Sequence, residues 1–116
     1  MTSELLKRIK ERAEVLNATC EAMAKTIREV EEHLTRSGVG CPSFVKGSGF
    51  EIGWDRMGSN FRIYISTGAS SSPWGDSPRN FKIESFPLLP KLLAEIVKNL
   101  DTSIAKATAA LHGEPK

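Results

Sequence analysis

No long hydrophobic run occurs anywhere in this chain, and the largest apolar stretches are only a few residues long. None approaches the roughly 18–20 residues that cross a bilayer as a helix. No apolar segment follows Met1-Thr-Ser-Glu4. The start therefore lacks the hydrophobic region of a secretion signal, and a cytoplasmic location without membrane attachment is expected. An excess of one charge is also missing, because 16 Lys and Arg face 14 Asp and Glu for a net charge of +2. Nucleic-acid binders usually carry a strong basic surplus or a basic stripe, so nucleic acid is not an expected partner. Cysteine is scarce. Cys20 and Cys41 are the only two, and without a secretion signal they read as reduced thiols. Gly and Pro are absent between residues 2 and 37, so nothing local interrupts a helix there.

What is present fits one domain over residues 1–116, of ordinary globular composition at 40% hydrophobic and 26% charged. Residues 3–36 read as one helix. Leu6, Ile9, Ala13, Leu16, Cys20, Met23, Ile27, Val30 and Leu34 recur at alternating spacings of three and four, the a/d stripe of a heptad. Ser3 suits the N-cap, and Ser37-Gly38 supplies the stop. Phe44 and Val45 fit a short edge strand. Phe50, Ile52 and Trp54 alternate with polar or small residues, as do Phe61, Ile63 and Ile65 after the turn Arg56-Met-Gly-Ser-Asn60. Period-two alternation on both sides of a Gly/Asn turn predicts a β-hairpin with one apolar face, which helices must cover. Residues 67–80 read as a long loop in which Trp74 is unexpected, and Phe81–Glu84 as a third strand. The sheet region is thus 44–84. Ser85 then caps a second helix over 86–112, with Pro87 and Pro90 in its first turn. The fold class is α+β: a long N-terminal helix, an antiparallel hairpin or three-stranded sheet, and a C-terminal helix.

The first helix is too long for its own globule. About 34 residues at ~1.5 Å each give roughly 50 Å, against a radius of gyration of about 13 Å for a compact chain of this size. Either the helix breaks or a second chain covers it. Lys7, Arg8, Lys10 and Arg12 crowd its start, and Glu29, Glu31 and Glu32 its end. Antiparallel pairing of two copies opposes the basic to the acidic ends, with Ile9, Ala13, Leu16, Cys20, Met23 and Ile27 at the interface. Local pairs such as Lys7–Glu11, Lys10–Glu14 and Arg28–Glu32 account for the same charges within one chain.

The sequence points to no catalytic residue, metal site or cofactor. Glu31, Glu32, Asp55, Asp76 and Glu84 belong to no acid–base motif, and Gly47-Ser-Gly49 lacks the Lys of a phosphate-binding loop. His33 and His112 sit near helix C-termini, where the dipole favours imidazolium. With two distant cysteines they do not make a zinc set. The candidate surface for a ligand or partner is Trp54, Arg56, Arg62, Tyr64 and Trp74, because interleaved arginines and aromatics bind phosphates, carboxylates or bases. The bland alternative is a solvated sheet face with Trp54 in the core.

Phe50-Glu-Ile-Gly-Trp-Asp-Arg56, Asn60-Phe-Arg-Ile-Tyr-Ile65 and Leu89-Pro-Lys-Leu-Leu93 resemble segments of small proteins of phages, integron cassettes and similar mobile elements. The resemblance covers about residues 50–97 and leaves the first helix outside. That group has no established activity, so the resemblance implies only an accessory protein, with a host or defence component as its expected target, and transfers no site residue. The function expected is a non-enzymatic, self-associating interaction module, a homodimer through the first helix with a host protein as partner. A small-ligand or nucleotide binder is the alternative, and an enzyme with a site built across a dimer the third reading.

Overall fold

The computed structural model describes residues 1–113. The expected domain of 1–116 therefore ends in residues 114–116, which lie outside those described. Helix α1 (Thr2–Arg36) leads into a meander of β1 (Ser43–Lys46), β2 (Glu51–Met57), β3 (Asn60–Ser66) and β4 (Ser71–Pro73). A 3₁₀ turn, Trp74–Asp76, follows, then α2 (Arg79–Ser85), a second 3₁₀ turn and α3 (Leu89–Leu111). The architecture is α+β, with a four-stranded antiparallel sheet in the order β1-β2-β3-β4.

The alternation in the hairpin sets its register. Ile52 pairs with Ile65 and Trp54 with Ile63, so all four side chains share one face. They are almost fully buried and join Phe50, Leu89, Leu92 and Ile96 in one core. Helix α3 lies over β1 and β2, while α1 touches β3. Asn99 pins α3 to the edge strand by donating to Ser43 Oγ at 2.8 Å and the Pro42 carbonyl at 3.3 Å.

Helix α1 does not break. It ends in a Schellman motif, with Val39 N–H bonded to the Leu34 carbonyl and Gly38 N–H to that of Thr35. Gly38 has φ +71°, the left-handed conformation this motif requires. At the other end Met1, not Ser3, takes the cap position, with no side-chain cap. Only the C-terminal half packs on the core, through Met23, Ala24, Ile27, Val30 and Leu34. Residues 1–19 are all exposed. This arm of α1 is about 28 Å long at ~1.5 Å per residue, and the molecule measures 78 × 28 × 24 Å.

The 67–80 region departs from the expected loop, and 81–84 from the expected strand. Ser71–Pro73 forms β4, and Arg79–Ser85 is helical. The spacing of Phe81 and Ser85 explains the helix. Four residues apart, they share a helical face on which Ser85 is fully buried and Phe81 half-buried, whereas Ile83, expected inward on a strand, is 41% exposed. Pro78 precedes the helix in extended conformation and provides its start. Ser85 closes α2 rather than capping α3, whose first turn holds Pro90.

Candidate functional site

The residues of the expected ligand surface separate into three places. Trp54 is in the core with no exposed surface, its indole N–H bonded to the Val39 carbonyl at 3.1 Å. Trp74 is also buried, and its N–H donates to Ser85 Oγ at 3.0 Å. Neither indole offers a face to a ligand, which corrects their place in that surface. Both were drawn there by residue type, whereas a large aromatic ring gains most from burial once its N–H has a partner.

Tyr64 stands on the outer face of the sheet. Its ring lies across Gly53, where a Cβ would collide with the phenol, so the missing side chain makes the seat. Its hydroxyl donates to Glu51 Oε2 at 2.6 Å. Burial first, then the hydrogen bond to Glu51 and the charges of Glu51 and Asp55, push the phenol well above its ordinary range. It remains a neutral donor and has no character of a catalytic base.

Arg56 and Arg62 do come together, on an open groove of about 860 Å³ between the C-terminal part of α1 and the β2–β3 hairpin. Arg28, Glu31 and Arg36 line its helix side, and Arg56, Phe61 and Arg62 its strand side. Arg56 lies over the Phe61 ring at 5.2 Å, and Phe61 in turn packs against Trp54 at 5.5 Å. Arg56 Nη1 also donates to the Ser59 carbonyl at 3.4 Å. The Arg62 Nε donates to Glu31 Oε2 at 3.2 Å. The same oxygen accepts the Ile63 backbone N–H at 2.8 Å. Glu31 is thereby a structural acceptor that docks α1 on the strand β3, a use no motif in the sequence announces.

The helix contributes residues that sequence reasoning passed over as site candidates. Arg36 pairs only with exposed Glu32 at 3.8 Å, and Arg28 makes no ion pair or side-chain hydrogen bond among the described residues. The expected pairs Lys7–Glu11, Lys10–Glu14 and Arg28–Glu32 are not closed. Among the described residues no three His, Cys, Asp or Glu side chains gather as a metal set, and no helix is long and apolar enough to cross a membrane.

The expected helix interface is also divided. Ile9, Ala13 and Leu16 are exposed and Cys20 partly so. Ile27 is buried against the chain's own sheet, and Met23 is partly covered by it, which corrects their assignment to a surface between copies. Glu31 is likewise engaged within the chain. No family model matches the chain, and neither a curated protein nor a solved structure matches it.

Proposed function

We propose that the protein is a non-enzymatic interaction module that self-associates through the α1 arm, in antiparallel pairing with the arm of a second copy. The observation that carries this reading is the exposed stripe on the half of α1 that the core does not reach. Ile9 is 62% and Leu16 42% exposed, and Leu5 and Leu6 stand beside them. A helical segment of this length without tertiary contacts is marginal in water, and an amphipathic face gains its stability by packing.

Charge selects the orientation. Residues 1–18 carry Lys and Arg at four positions against three Glu, and residues 19–36 three against four. That margin is small, and the arm pairs with the arm, so the orientation rests on which residues meet beside the stripe. Layering Ala13 against Leu16 of the second copy sets a small residue against a large one. The same register places Lys10 opposite Asn17 and Arg12 opposite Thr19, so no like charges meet beside the stripe.

Sedimentation equilibrium tests the proposal. The expected mass at micromolar concentration is twice 12.7 kDa. Leu16→Glu is expected to give a folded monomer, because it buries an unpaired charge only in the paired state. A wild-type monomer at high concentration would overturn the reading.

A further inference from the structure

We infer that the groove between α1 and the hairpin is a docking site for an extended acidic peptide segment of a partner protein, distinct from the self-associating arm. Two independent features converge there. The first is charge. Four arginines and two glutamates line the groove, leaving +2, equal to the net charge of the whole chain. The rest of the chain sums to zero, so the lining of this one concavity matches the net positive charge. Glu31 satisfies Arg62, and Glu32 reaches Arg36 only as a solvent-exposed pair at 3.8 Å. Arg28 has no ion-pair partner among the described residues, and Arg56 is held in place by Phe61 rather than neutralised. Planar guanidinium groups in this state recognise carboxylates through paired hydrogen bonds.

The second feature is backbone. The Ile63 N–H points away from β2, towards Glu31. In an antiparallel ladder, residues two apart point their backbone groups the same way. Phe61 N–H and C=O therefore also point outward, and β4 pairs only with Tyr64–Ser66 and does not reach them. Glu31 takes the Ile63 N–H, so the part of the strand edge left open at the groove wall is at Phe61, where an extended peptide can add its own hydrogen bonds. The groove is unsuited to a nucleobase, because Trp54 has no exposed face and Arg56 covers Phe61. The chemistry that fits is backbone pairing plus carboxylates.

Fluorescence anisotropy with the full chain tests this. The probe is a labelled, end-blocked peptide of alternating glutamate and valine; the comparisons are its glutamine counterpart and a mixed-sequence DNA oligonucleotide. The acidic peptide is expected to bind, and to weaken as salt rises. The double variant Arg28→Glu with Arg36→Glu is expected to weaken it about tenfold or more, as loss of charge-assisted hydrogen bonds does. Both side chains are exposed, so circular dichroism and the sedimenting mass should be unchanged. An unaltered affinity in the double variant, equal binding of the glutamine peptide, or equally tight binding of the oligonucleotide would each overturn the assignment. None of these results bears on arm pairing, which the sedimenting mass reads separately.

Discussion

Ile63 shows how much a single side chain carries. It is fully buried at the centre of the sheet, opposite Trp54. Truncation to Ala is expected to cost about 2–5 kcal/mol, as large-to-small core changes do, and urea denaturation will measure it. Tyr64 makes a different prediction, because it is the only tyrosine in the chain. Its phenol is raised by burial and by the neighbouring Glu51 carboxylate, whereas an unfolded tyrosine ionises near pH 10. The folded state then holds its proton more tightly than the unfolded state. The resulting stability is complete below about pH 10 and is lost as pH rises beyond it. Ultraviolet titration should show no phenolate until the chain unfolds in alkali, and Tyr64→Phe should flatten the alkaline decline in stability. A phenolate signal at the usual pH in the folded protein would refute the seat across Gly53.

At the scale of elements, each short piece is fastened by one or two polar contacts. Helix α2 has only seven residues and no side-chain cap. Its anchor is Ser85, which accepts the Trp74 N–H and donates to the Lys82 carbonyl at 3.3 Å. Trp74→Phe removes that donor and leaves space behind. A loss of about 1–3 kcal/mol is expected, with hydrogen exchange accelerated first in α2. Docking of α1 depends in the same way on Glu31, which holds a backbone N–H and a guanidinium together. Glu31→Ala should cost about 1–3 kcal/mol by leaving both donors unpaired. Glu31→Gln should recover part of this, because the amide oxygen still accepts the Ile63 N–H.

Over the whole molecule, the two ends of α1 have different work. Its C-terminal half completes the core, and its exposed N-terminal arm takes no part in that core. Deleting residues 2–19 should therefore leave the denaturation midpoint of the core nearly unchanged while abolishing association, read by sedimentation and by loss of helical circular dichroism. A large fall in that midpoint would mean that pairing supports the core itself. Helix α3 is divided similarly, since Ile104 and Leu111 are exposed beyond its packed first half.

The sequence by itself determined the elements whose pattern is local. Heptad spacing with no Gly or Pro defined α1 to within a residue at its start, and period-two alternation about Gly58 defined the hairpin and its buried face. These signals suffice because helix and strand periodicities record which side chains face a core. Residues 71–85 were decided only by tertiary structure. Phe81 and Ile83 fit a strand as well as a helix, and the choice went to the conformation that buries Ser85 beneath the Trp74 N–H. The groove was decided in the same way. Arg28 and Arg36 lie twenty or more residues from Arg56 in the chain, and the docking of α1 on the core and on β3 sets them on opposite walls of one concavity. Periodicity carries burial but not partners, so a site assembled from a helix and a distant hairpin exists only once the chain has folded.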